Sequence, residues 1–202
     1  MILVSEKKVV FKYDSKNQSV EWRNEFDTNV AGVFRVDDLV FITTTSWWGS
    51  PAFTSLIDFS SGKKKWTIEK VLYGIHIKEK KIIFIDTKKE IVSISLETGQ
   101  ENFRVKMSGF RWYEQPKISL INNKIYLFSL KKTFLLNEAN GSLGESKLPS
   151  KINPKETIFL IDEFQMKINT LPGTSSDAGM VMATGDAGGD GGGGGDAGGG
   201  GE

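Results

Sequence analysis

An Asp-x3-Gly-x3-Trp pattern returns along this chain at intervals near forty residues, and that period restricts the fold to an array of similar supersecondary units. The clearest copy joins Asp58, Gly62 and Trp66. Asp14 and Trp22 keep the spacing with Gln18 at the glycine position. Ser95, Gly99 and Phe103 keep it with substitutions, and Asn137 and Gly141 keep its first half, with Glu145 where the aromatic belongs. Successive copies start 44, 37 and 42 positions apart. Each residue type has a physical reason. Asp, Asn or Ser opens a turn by accepting backbone N–H groups, and glycine takes the positive φ that other residues resist. The aromatic side chain then buries a large apolar area between neighbouring units.

Short runs rich in Val, Ile, Phe and Thr fill the spaces between copies, among them Val9–Tyr13, Leu39–Thr44, Lys81–Ile85, Glu90–Leu96, Lys117–Ile121, Lys124–Ser129 and Thr133–Asn137. Several alternate with period two, and none holds a 3.6-residue period for three turns. Turn signals every 8–10 residues or so complete the pattern of an antiparallel β-meander. A period near forty suits one four-stranded blade per repeat.

The copies Leu56–Trp66 and Ser95–Phe103 resemble the tryptophan-docking repeat of PQQ-like, or quinoprotein-like, β-propellers, a WD40-like architecture. The resemblance covers roughly residues 1–150, with two good copies and two eroded ones. It implies an all-β fold, a small β-propeller of about four blades, with strands A to D running outward from a central channel and the motif joining C to D. Blade two then runs Val30–Val36, Leu39–Thr44, Phe53–Asp58 and Lys65–Glu69. Blade three runs Leu72–Ile77, Lys81–Asp86, Ile91–Leu96 and Asn102–Lys106, and blade four Lys117–Ile121, Lys124–Ser129, Thr133–Asn137 and Leu143–Lys147. The N-terminus supplies only Ile2–Ser5, Val9–Tyr13 and Val20–Arg23. Thr157–Ile161 is the expected missing A strand, which would close the ring by pairing the two termini and removing exposed sheet edges. Family rings usually have six to eight blades, so an open arc, a fragment and half of a homodimeric ring stand beside the closed four-blade ring. Phe164–Asn169 is a further strand candidate that four blades leave unexplained.

Composition separates a body, residues 1–169, from a tail, 170–202. Fourteen of the 22 glycines come after Leu171, together with Asp177, Asp186, Asp190, Asp196 and Glu202 and no Lys or Arg. Of the chain's 25 acidic residues, 20 therefore remain in the body against all 26 basic ones, a body of +6 and a tail of −5 beneath a total of +1. A segment so poor in apolar residues cannot repay its ordering entropy, and the tail is expected to be disordered and solubilising, or a displaceable cover for the basic face. A third reading makes it a peptide released or modified by another enzyme. It lacks the aliphatic residues that calcium-binding glycine-aspartate repeats need.

Cysteine is absent, which excludes disulfides, thiolate metal sites and cysteine nucleophiles. The N-terminus does not read as a signal peptide, and no run approaches about 18 apolar residues, so the expected location is cytoplasmic. His76 is the single histidine and a poor metal site by itself. It alternates with Ile75 and Ile77 and is expected to face the channel, where a small hydrolase or quinone-type enzyme would use it. No Gly-x-Ser-x-Gly elbow accompanies it. Quinone enzymes of the resembled family need a larger ring, a calcium site and often a vicinal disulfide. No catalytic residue, metal or cofactor is therefore assigned, and the chain reads as non-enzymatic.

Binding is the better-supported class. In a propeller, B–C turns and D–A connections share one face. Here they carry Lys7-Lys8, Trp47-Trp48, Lys88-Lys89, Lys131-Lys132 and, before blade four, Arg111, Trp112 and Tyr113. Trp, Tyr and Arg are the usual hot-spot residues of interfaces, while lysines steer charged partners. The expected partner is a protein with an acidic surface, the chain acting as scaffold or inhibitor. Nucleic acid is less favoured, because the body charge is modest and Asp37, Asp38, Glu114 and Glu138 dilute it. A membrane is not expected.

Overall fold

The computed structural model describes residues 1–107, 110, 116–149, 152, 153 and 165–169, with the side chains of 165–167 left aside. Every regular element among them is a strand. The first sheet holds β1 (Ile2–Glu6), β2 (Val9–Asp14) and β3 (Ser19–Glu25). The second holds β4 (Asn29–Val36), β5 (Leu39–Thr45), β6 (Ala52–Asp58) and β7 (Lys64–Ile68). The third holds β8 (Gly74–Lys78), β9 (Lys81–Ile85), β10 (Glu90–Ser95) and β11 (Glu101–Lys106). The fourth holds β12 (Lys117–Ile121), β13 (Lys124–Phe128), β14 (Thr133–Leu136) and β15 (Leu143–Glu145). Each is an antiparallel meander in sequence order, as in propeller blades, and each expected strand in these sheets falls within two residues of an observed one.

The exception is β16 (Gln165–Lys167). It pairs antiparallel with β8, Gln165 opposite His76 and Lys167 opposite Gly74, and makes the third sheet five-stranded. The unexplained strand candidate at Phe164–Asn169 thus completes no new blade but covers the inner edge of an existing one. The expected closing strand, Thr157–Ile161, lies outside the described residues.

Three apolar clusters lie between successive sheets. Val10 meets Val40, Ile42, Ile57 and Phe59 between the first and second. Phe41, Leu56 and Trp66 meet Leu72, Ile75, Phe84 and Ile94 between the second and third. Ile83 and Ile91 meet Leu120, Ile125, Leu127 and Phe134 between the third and fourth. Among the described residues, no such cluster joins the fourth sheet to the first.

The recurring motif is the docking device at each joint. Asp58 Oδ1 accepts the backbone N–H of Ser61, and Gly62 N–H bonds Asp58 O at 2.8 Å. The same 5→1 bond closes the turns at Gly99 and Gly141. All three glycines have φ between 70° and 77°, and each lacks the Cβ that would strike the aromatic of the preceding sheet: Trp22 at Gly62, Trp66 at Gly99, Phe103 at Gly141. Trp22 Nε1 donates to Phe59 O and Trp66 Nε1 to Leu96 O, so the half-buried indole of Trp22 and the buried one of Trp66 both meet their polar need.

Lys12 occupies a position that is apolar in the neighbouring sheet. It is buried, pairs with Glu21 at 2.8 Å, and lies 4.4 Å from the centre of the Phe59 ring. Arg35 stacks closer on the same ring, at 3.3 Å. Two cations on one aromatic ring thus seal the first joint.

Candidate functional site

Aromatic docking aligns the sheets end to end. It gathers the motif turns on one rim, so the β1–β2, β5–β6, β9–β10 and β13–β14 turns share the opposite rim with the connections that lead from one sheet to the next. Backbone bonds tie the two sets together: Phe26 N–H donates to Lys8 O and Val30 N–H to Lys7 O.

On that rim Trp47 and Trp48 are 85% and 89% exposed. Single exposed apolar side chains are ordinary on a protein surface, but two adjacent exposed indoles make a contiguous apolar patch. The loop beneath them is tied at several points. Ser46 Oγ donates to Ser50 O, Ser46 N–H to Pro51 O, and Gly49 N–H to Ser46 O at 2.9 Å. Gly49 takes φ 81°, and the Ser50–Pro51 peptide is cis. The tryptophans are therefore held out from an ordered hairpin tip above β5 and β6.

Lys7, Lys8, Lys88, Lys89, Lys131 and Lys132 all have exposed positions on turns of this rim. The β9–β10 turn is built around Asp86, whose Oδ1 accepts the N–H groups of Lys88 and Glu90. Asp86 and Glu90 share Arg104, at 2.5 and 2.8 Å, and Glu101 meets both Arg104 and Lys70, two cations among three carboxylates. That network holds Glu101 below the usual carboxylate range, chiefly through Arg104, and raises Arg104 further. The acids next to Lys88 and Lys89 are thus already paired within the protein. The β13–β14 turn adds Leu130, 63% exposed, beside Lys131 and Lys132.

Several expectations change. Asp37 and Asp38 sit in the β4–β5 turn and Glu138 in the turn after β14, all on the motif rim, so they do not dilute the charge of the lysine rim. Arg111, Trp112, Tyr113 and Glu114 lie outside the described residues. Phe110, their neighbour, packs edge-on against Phe134 with centroids 5.2 Å apart, in the joint between the third and fourth sheets. His76 does not line an open channel. It is 1% exposed, its backbone pairs with β16, and it shares a face of β8 with Lys78, which reaches Asn123 O and Glu138 in the fourth sheet. Such a histidine offers a substrate no surface. Among the described residues no group of three or more His, Asp or Glu is arranged to hold a metal.

Sequence reasoning missed Asn169. Its Nδ2 donates to Thr43 Oγ1 at 2.9 Å and to Leu72 O at 2.5 Å, and its Oδ1 occupies the space where a Cβ on Gly32 would be. Ile168, beside it, is buried in the cluster between the second and third sheets. A lone Gly–Asn pairing across more than a hundred residues carries no local periodicity, so only the fold reveals it.

No family model and no curated protein matches this chain. Solved structures do. BamB from Moraxella catarrhalis is 15% identical with a TM-score of 0.46, over 70% of this chain and 44% of its own. A europium-containing methanol dehydrogenase is 14% identical with a TM-score of 0.40, over 59% and 25%. KlHsv2 with loop 6CD replaced by a Gly-Ser linker is 14% identical with a TM-score of 0.43, over 68% and 45%. The chain spans less than half the length of each.

Proposed function

We propose that this chain is a non-enzymatic binding module that captures a protein with an acidic surface on its lysine rim. The carrying observation is the pair Trp47 and Trp48, held almost fully exposed on an ordered loop. Exposed tryptophans cost solubility and are suited to burial at an interface, where such residues dominate affinity. Lys7, Lys8, Lys88, Lys89, Lys131 and Lys132 around them favour negative potential and set the rate of encounter. The rival reading, a hydrolase or quinone-type enzyme using His76, has its one histidine buried between sheets.

The test compares wild type with a Trp47→Ala/Trp48→Ala double variant, both immobilised, against lysate proteins, a poly-glutamate peptide, anionic vesicles and single-stranded DNA. Retention of acidic proteins and poly-glutamate, reduced at least about tenfold in the variant, is the expected result. Thermal stability should stay within about 0.5 kcal/mol, because both side chains are exposed. Equal capture by both proteins would overturn the aromatic rim, and retention of only vesicles or only DNA would replace the partner class.

A further inference from the structure

The Trp47–Trp48 loop and the Lys88–Lys89 turn top neighbouring sheets, and side-chain bonds brace one against the other. Thr54, in β6 just below the loop, is buried and donates through Oγ1 to Lys70 O at 2.7 Å. Lys70 Nζ crosses to the third sheet and meets Glu101 Oε2 at 2.9 Å. Glu101 accepts Nε and Nη2 of Arg104 at 3.1 and 2.7 Å, and Arg104 Nη1 donates to Asp86 and Glu90. Asp86 Oδ1 then accepts the N–H groups of Lys88 and Glu90, each at 2.9 Å. Trp66 and Leu72 pack in the apolar cluster of the same joint. Both turns are therefore presented in a fixed relation, which lowers the ordering cost of binding at two points at once. The Lys7–Lys8 turn, on the other side of the loop, differs. Glu6 and Asp27 stand exposed beside it, whereas Asp86 and Glu90 are half-buried and turned to Arg104.

We propose that Trp47, Trp48, Lys88 and Lys89 form one two-point site for an extended segment of the partner, carrying a large apolar side chain and, about four residues away, a run of carboxylates. The site rests on the reading of this rim as the partner surface and specifies what that surface selects. Its spacing follows from the sheets. Packed sheets lie about 10 Å apart and an extended chain advances about 3.3 Å per residue, so roughly three to five residues carry a segment from one turn tip to the next. Glu69 is exposed on the connection between the two turns, so the middle of the segment is expected to carry no acid. The adjacent indoles supply the apolar anchor, and the lysines fix which end of the segment lies where. An exposed Lys–carboxylate pair contributes little alone, but tethering to the anchor raises its effective concentration to the order of millimolar. Arg104 is the positioning residue, because its planar fork meets three carboxylates in a geometry that a lysine ammonium does not reproduce.

The experiment uses the full-length protein and fluorescein-labelled peptides in which a tryptophan and a Glu-Glu-Glu run are fused directly or joined by a Gly-Ser linker of four or ten residues. The four-residue linker spans about 10–12 Å and the ten-residue one about 16–19 Å. By fluorescence anisotropy, the four-residue peptide should bind about tenfold tighter than the direct fusion, which reaches one point only. It should bind about fourfold tighter than the ten-residue peptide, since effective concentration falls with roughly the −3/2 power of linker length. Trp47→Ala/Trp48→Ala and Lys88→Ala/Lys89→Ala should each flatten this dependence, and all four side chains are exposed, so the fold is untouched. Lys7→Ala/Lys8→Ala should preserve it. Arg104→Lys should weaken the four-residue peptide about threefold and leave the direct fusion unchanged, a split that general destabilisation does not produce. An equal effect on both peptides would strip Arg104 of its positioning role. Equal affinity for all three peptides overturns the site, as does a dependence lost with Lys7→Ala/Lys8→Ala and kept with Lys88→Ala/Lys89→Ala. If length has no effect while the tryptophan variant still loses acidic proteins, the rim stands as the partner surface and the two-point site falls. If the tryptophan variant captures as well as wild type and no peptide binds, the reading of the rim itself falls.

Discussion

Trp66 of the second sheet seats its indole on Gly99 of the third: Nε1 donates to Leu96 O at 2.9 Å, and a Cβ on Gly99 would stand 2.9 Å from the ring. Gly99 also holds φ 70°. Gly49 holds φ 81° with nothing within 4 Å of its missing Cβ. The pair separates backbone strain from steric exclusion. Gly49→Ala should cost about 1–2 kcal/mol, the left-handed penalty alone. Gly99→Ala should cost about 2–5 kcal/mol, because overpacking against the indole adds about 1–3. Urea denaturation of the two variants checks this, and equal losses would contradict the docking geometry.

The motif departs from its pattern at the two ends of the array. Gln18 takes φ 51° in the first sheet, exposed, with no aromatic from a preceding sheet on it among the described residues. Gln18→Gly should leave stability within about 1 kcal/mol of wild type, since relief of the left-handed strain and the added chain entropy oppose each other. The reverse exchange at a used seat, Gly99→Gln, should cost more than about 3 kcal/mol. A large loss on Gln18→Gly would reveal a contact at the first seat.

Asn169 and Gly32 form a lock across the joint of the second and third sheets. Asn169→Ala removes two hydrogen bonds and leaves Leu72 O short of a donor, a loss of about 1–3 kcal/mol. Gly32→Ala sets a Cβ 2.7 Å from Asn169 Oδ1 and should cost about 1–3 kcal/mol. In the double variant the new methyl occupies space the amide has left. The combined loss should therefore fall short of the sum by more than about 0.5 kcal/mol, read from a double-mutant cycle in urea. Strict additivity would place the two residues out of contact.

Acid should weaken the motif turns. The hydroxyls of Ser60 and Ser61, then the Ser61 N–H, hold Asp58 well below the usual carboxylate range. The N–H of Lys16 lowers Asp14 in the same way. With the folded value depressed, the stabilisation is present above the unfolded value of about 4 and is lost as pH falls through the folded one. The stability gap between wild type and Asp58→Asn should be full at pH 7 and narrow steadily below pH 4. A gap that is constant down to pH 3 would show that the carboxylate's charge is not what the turn uses.

Much of this protein was legible before its fold. Asp58, Gly62 and Trp66 act within one turn and one strand, and turns and alternation are local, so the strands of four sheets and the seats at Gly62, Gly99 and Gly141 could be read from spacing. The exposure of Trp47 and Trp48 accords with their place in a long turn without a repeat partner. Arg111, Trp112 and Tyr113 were read by the same logic and lie outside the described residues.

Spacing could not supply the side of a joint on which a residue ends. Phe110 adjoins the connection read as an aromatic part of the binding face, Arg111, Trp112 and Tyr113, and it packs on Phe134. His76 alternates toward a channel, yet β16 covers that edge and its neighbour Lys78 reaches the fourth sheet. Lys12 carries a charge inside the run Val9–Tyr13, and its burial beside Glu21 and Phe59 is set only by the joint. The sequence alone determined the local device, because Asp, Gly and Trp at fixed spacing make a turn and a dock wherever they occur. Tertiary structure alone decided where β16 pairs, because edge pairing uses backbone groups that every strand offers, and only packing of Ile168 and Asn169 selects the edge.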